Sequence, residues 1–103
     1  MDPLANIIVA GDFNEFIQTR SAFAAFNGIA FEVDDLAGLA PEEKYTYVYG
    51  NLMEQLDHMF VSPVMALRKV EVEHVHVNSW APSYDDKTSD HDPSVARVRV
   101  CGL

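Results

Sequence analysis

Residues 7–10 are four apolar positions in a row, followed by Gly11 and then by Asp12, Asn14 and Glu15 crowded into the next four. An apolar run without alternation reads as a strand covered on both faces, so residues 6–10 predict a buried strand that ends in polar side chains. Over residues 17–26, Phe23 and Phe26 stand three apart on one face of a short helix, which Asn27 and Gly28 then stop. The pattern weakens over residues 31–43. A loop or a one-turn helix is expected there, capped by Asp34 or Asp35 and broken by Pro41.

The stretch "YTYVYGNLMEQLDHMFVSP", residues 45–63, carries aromatic and β-branched residues on its first arm, with Gly50 and Asn51 at or near the turn, and predicts a hairpin whose second arm ends at Pro63. "VEVEHVHV", residues 70–77, alternates with period two apart from a slip at Glu73 and His74 that reads as a bulge. His74 and His76 fall on one face of that strand and are expected as an exposed pair. A polar loop over residues 78–88 leads to a last strand, residues 94–100, with Val95, Arg97 and Arg99 on one face and Ala96, Val98 and Val100 on the other. Met53, Met59, Phe60 and Met65 read as core packing rather than as a lipid-facing patch.

Composition narrows the function classes. Of 103 residues, 49% are hydrophobic, enough for a core, and no apolar run approaches the length of about 18 needed to span a membrane. Residues 1–6 show no basic patch leading into an apolar segment, so no signal peptide is expected. A formal net charge of −9 argues against a protein that holds nucleic acid by counterion release, but not against an enzyme whose carboxylates are neutralised by a divalent cation. The single cysteine, Cys101, excludes an intrachain disulfide and a cysteine-based zinc site. It reads as a small, half-buried thiol, with pairing to another chain left open.

Polar clusters stand at the ends of the predicted strands: "GDFN" (Asp12, Asn14), "LDH" (Asp57, His58) and "SDHDP" (Asp90, His91, Asp92). Taken singly, Asp12 and Asn14 read as turn formers bonded to the local backbone, His58 as a packed or surface histidine, and Asp92 before Pro93 as a turn initiator. Strand ends are also where a rigid sheet holds side chains toward one ligand.

In this order, "IIVAGDFNEF", "YVYGNLMEQLDHMFVS" and "TSDHDPSVARVRV" resemble the C-terminal half of the endonuclease/exonuclease/phosphatase superfamily. These are metal-dependent phosphodiesterases and related phosphatases, and the likeness is nearest to the secreted or cell-surface nucleases. The resemblance implies that Asp12 positions or activates the attacking water beside the scissile phosphate, and that Asn14 donates to a phosphate oxygen. It makes Asp57 the orienter of His91, and His91 an acid, a base or an electrostatic clamp. Asp90, with Asp12, is implied as a holder of Mg²⁺ or Mn²⁺, Ca²⁺ being the other hard cation such ligands take. Trp80, in "NSWAPSY", is placed to stack on a base of a DNA or RNA substrate, or else packs as a loop anchor with Pro82 and Tyr84.

The fold so implied is α/β, in the α+β sense. It is half of a two-layer sandwich, with a mostly antiparallel sheet and one or two helices on one face, residues 1–103 forming the C-terminal half of the domain. The family's principal metal-ligand glutamate and second catalytic histidine have no counterpart here, and Glu32, Glu42 and Glu43 sit in no context that recommends them as substitutes. The chain is therefore expected to need a missing N-terminal half or a second copy of itself, as a homo-oligomer or as a fragment of a larger protein. The other readings are a divalent-ion-binding or assembly module, and a phosphatase or sphingomyelinase-type phosphoesterase. No membrane partner is expected, and the subfamily likeness leans toward an extracellular location.

Overall fold

The computed structural model describes residues 5–13, 25–26, 28–49 and 52–101. Asn14, Glu15, most of the helix expected over residues 17–26, and the turn at Gly50 and Asn51 lie outside the described residues. The architecture is α+β, with antiparallel sheets and short helices. Strands β1 (Ile8–Asp12), β5 (Asp57–Val61) and β2 (Phe31–Glu32) form one sheet in the order β1-β5-β2. Strands β3 (Tyr47–Tyr49) and β4 (Leu52–Glu54) make a hairpin, and β6 (Val70–His74) pairs with β7 (Ser94–Val98). The helices α1 (Val33–Leu36) and α2 (Pro63–Ala66) are single turns. No helix among the described residues is long and apolar enough to cross a membrane.

The strand covered on both faces is β5, not β1. Its Val61 joins Val33, Met65 and Val70 in the main core, while Phe60 packs on Phe13, Phe26 and Ala30 on the other side. Lying between β1 and β2, β5 is sealed laterally as well. By contrast β1 is the end strand of its sheet and is exposed at all five positions, so its apolar run is not the doubly buried strand expected. It also runs two residues further than expected, carrying Asp12 in the strand ladder rather than in a turn.

The hairpin's second arm breaks after Glu54. Gln55 turns inward, donating from Nε2 to Glu32 Oε1 (3.0 Å) and Asp34 Oδ2 (2.5 Å), and the chain then re-enters pairing as β5 in a different sheet. Asp34 is not the expected helix cap: the N-cap of α1 is Glu32, and Asp34 is 1% exposed.

Strand β6 keeps unbroken register from Val70 opposite Val98 to His74 opposite Ser94, so the expected bulge is absent and the strand simply ends. His74 takes an inward position of the alternation. Its Nε2 lies 2.7 Å from Asp34 Oδ2 and its Nδ1 2.6 Å from Ser94 Oγ. His76, beyond the strand end, is buried too, so the exposed histidine pair expected on a solvated face is corrected: each ring is taken inside by a carboxylate. The alternation expected around β7 holds, with Val95 and Arg97 outward and Ala96 and Val98 half-buried. Met65, Phe60 and Met59 pack as expected, whereas Met53 projects from the hairpin into solvent and Cys101 is exposed rather than half-buried.

Candidate active site

Antiparallel pairing of β1 with β5 sets Asp12 directly opposite Asp57, at the end of one strand and the start of the other. Directly opposed residues share a face of the sheet, so two carboxylates meet there. His91 comes to them from the far end of the chain, because it forms a β-bridge with Tyr47 just before β7 begins. Its Nδ1 lies 2.5 Å from Asp57 Oδ2, and its Nε2 is 3.7 Å from Asp12 Oδ2. The imidazole thus stands between the two acids. One ring nitrogen is engaged by Asp57, which fixes the ring's orientation, and the other is turned toward Asp12.

Burial alone pushes the His91 pKa down, but the hydrogen bond and charge of Asp57, aided by Asp12 and Asp90, outweigh it and hold the pKa above the ordinary histidine value. The ring is therefore held toward its protonated form, the state that donates to a phosphoryl oxygen. Asp90 is exposed and acts on His91 through its charge; it does not enter the group formed by Asp12, Asp57 and His91, whose ligand atoms all lie within 4.8 Å of one another. Asn14 falls outside the described residues.

The donor chemistry of that group suits a hard divalent cation. Mg²⁺ takes one or two carboxylates and fills its remaining positions with water and substrate oxygens. A cavity of about 280 Å³ opens beside the pair, lined by Gly11, Asp12, Asp34, Asp57, His58 and His74 among others, with no Lys or Arg among the described residues that line it. A phosphate there would meet carboxylates unless a cation intervened, so the donor types present fit such an ion, with the exposed Asp12 as its nearest side-chain holder.

The loop that presents His91 is built around Asp92. This carboxylate is 4% exposed, and it accepts from the backbone N–H groups of Asn78 (3.0 Å) and Ser79 (2.8 Å), from Ser79 Oγ (2.5 Å) and from His76 Nδ1 (2.9 Å). Burial alone would raise its pKa; the hydrogen bonds from Ser79, His76 and Asn78 reverse this and hold it below the usual carboxylate range. Asn78 adds a bond from Nδ2 to the His91 carbonyl at 2.7 Å. The His76 ring stacks on Tyr45 at 3.9 Å, and Tyr45 OH accepts from Trp80 Nε1 at 2.7 Å. Trp80 is therefore anchored at its indole edge through Tyr45, while its surface remains 72% exposed.

Reasoning from the chain alone passed over Thr46, which lies hidden in the run "YTYVY". It is completely buried, its Oγ1 accepts from the N–H groups of Leu56 and Asp57 at 3.2 Å, and its carbonyl accepts from Asp92 N at 2.7 Å. A threonine between two tyrosines, at the bend just before β3, carries no periodic signal. The parts played by His76, Asn78 and Ser79 were hidden in the same way, because their common partner lies more than a dozen residues away.

The structure thus gathers an acid–imidazole–acid group at a strand end beside a cavity. A scan against models of protein families matches residues 2–91 to the Endonuclease/Exonuclease/phosphatase family, and the chain belongs to that family. Comparisons with curated proteins and with solved structures gave no match. The family's chemistry is phosphoester hydrolysis of the phosphodiesterase, nuclease or phosphatase type, typically with divalent metals.

Proposed function

We propose that this chain supplies the Asp12, Asn14, Asp57, Asp90 and His91 part of a metal-dependent phosphodiesterase site that acts on nucleic acid, as the C-terminal half of such a domain and nearest in kind to the secreted nucleases. The observation that carries the reading is the alignment of His91 between Asp57 and Asp12 at the β1–β5 strand end. Bound Mg²⁺ or Mn²⁺, with Ca²⁺ the alternative, supplies Lewis-acid neutralisation of the phosphoryl oxygens. Asp57 holds the imidazole, His91 offers its Nε2, on the Asp12 side, to the phosphate, and Asp12, which lines the cavity, orients the attacking water. Asn14 and Asp90 are assigned by motif, as phosphate donor and cation holder. The test is turnover of bis(p-nitrophenyl) phosphate, p-nitrophenyl phosphate, plasmid DNA and single-stranded RNA with Mg²⁺, Mn²⁺, Ca²⁺ or EDTA. Metal-dependent cleavage of the diesters is expected. Cleavage of the monoester alone would move the assignment to a phosphatase, and cleavage of none would sink the reading for this chain.

Trp80 is assigned as a stacking platform for a substrate base, since its exposed indole is held by Tyr45 in the stretch of chain that leads to His91. Trp80→Ala is expected to weaken binding of a short single-stranded oligonucleotide by about 1–3 kcal/mol, the worth of one base stacked on an aromatic ring. Fluorescence anisotropy reads this directly, and an unchanged Kd would remove Trp80 from the site.

Completion of the site by an N-terminal half or by a second copy of the chain is supported by the apolar surface left open. Ile8 and Val9 on β1, and Tyr49, Leu52 and Met53 on the hairpin, are all exposed. Large exposed apolar surface of this kind is what association covers. Light scattering is expected to give a mass above that of one chain, and a monodisperse monomer with a cooperative melt would count against self-association.

A further inference from the structure

We infer that Thr46 is a positioning residue: its hydrogen bonds set the spacing between Asp57 and His91. The inference rests on the reading of Asp57 and His91 as a working pair, and it explains how residues 34 positions apart come to stand at 2.5 Å. The two side chains ride on different pieces of the fold, Asp57 at the head of β5 and His91 at the end of the loop before β7. Thr46 touches both. Its Oγ1 receives the N–H of Asp57 itself and of Leu56, and its backbone carbonyl receives the N–H of Asp92, next to His91. The adjacent Tyr47 carries the β-bridge to His91 and places its ring 5.1 Å from the imidazole. Thr46 N–H, in turn, is fixed to Glu54 O at 3.0 Å, which anchors the clamp to the hairpin.

The Oγ1 is the one part of this clamp that a substitution removes without altering the backbone or the volume. Thr46→Val replaces the acceptor by a methyl group, whereas Thr46→Ser keeps the acceptor and loses the methyl. Without Oγ1 the Leu56 and Asp57 amides lose their acceptor, and the head of β5 shifts to find another.

The experiment follows the His91 Nδ1 proton by NMR in the full chain, identified by its loss in Asp57→Asn. In the parent chain and in Thr46→Ser a far-downfield signal is expected, the signature of a short hydrogen bond to a carboxylate. In Thr46→Val the signal is expected to move upfield or vanish while the rest of the spectrum stays dispersed. Where the chain turns over a phosphodiester, kcat of Thr46→Val is expected to fall by about 10- to 100-fold with KM little changed, as for a misplaced catalytic group. An unchanged Nδ1 signal in folded Thr46→Val overturns the inference. If Thr46→Val loses its cooperative melt, Thr46→Cys carries the same comparison with a weaker acceptor, and loss of the fold in both shows a structural residue and overturns the inference as well. Because the proton signal is read without substrate, a chain inactive on phosphodiesters still decides the role of Thr46.

Discussion

Replacing His91 with alanine is expected to lower metal-dependent phosphodiester hydrolysis by about 10²- to 10⁴-fold, the usual worth of a positioned acid or base. The same preparation of the parent chain and the variant, with and without EDTA, separates this loss from any contaminating nuclease. The effect should fall on turnover rather than on folding, because the ring lies near the surface and packs no core residue. A stability difference is expected only where the histidine is charged. Its pKa in the folded chain stands above the unfolded value of about 6.5, so the folded form binds the proton more tightly. That contribution is complete below the unfolded pKa and is lost as pH rises through the folded pKa. The melting temperature of His91→Ala should therefore lie below that of the parent at mildly acid pH, and the two should converge in the alkaline range. Turnover within a factor of a few of the parent would remove His91 from the chemistry.

Asp92→Ala is expected to destabilise the chain by about 3–5 kcal/mol, the cost of leaving the partners of a buried charge uncompensated. His76 and the Ser79 and Asn78 amides would all lose their acceptor at once. For a domain of this size each kcal/mol moves the melting temperature by roughly 4–8 °C, so the shift is large and easily read by calorimetry. The pH dependence has the opposite sign to that of His91. The Asp92 pKa is depressed in the folded state despite its burial. Its stabilisation is therefore present above the unfolded carboxylate pKa, about 3.9, and is lost as pH falls through the lower folded value. Asp92→Asn, which cannot ionise, should lack this acid limb. A melt of Asp92→Ala within about 0.5 kcal/mol of the parent, the range of an ordinary surface change, would show that the loop is held by something else.

Sites are readable along a chain to the extent that local chemistry fixes them. Asp12, Asp57 and His91 became candidates through the family likeness of the three ordered motifs, each of which is a short local run. The same locality explains the failures. An apolar run states that a strand exists but not where it lies in a sheet, so β1 was read as buried when its place at the sheet's end leaves it open. His74 and His76 looked like exposed polar residues because the carboxylates that take them inside, Asp34 and Asp92, stand 40 and 16 positions away.

By itself, the order of residues determined the antiparallel α+β character and the motif set that carries the family likeness, since periodicity and side-chain type act within a few residues. Only the tertiary structure decided that Asp12 faces Asp57, that His91 stands between them, and that Asp92 closes the loop while Thr46 bridges its two neighbours. Those relations depend on strand register and on buried polar groups finding partners across the fold. Such a group must be paired wherever a partner can be brought, and no short-range pattern records where that is.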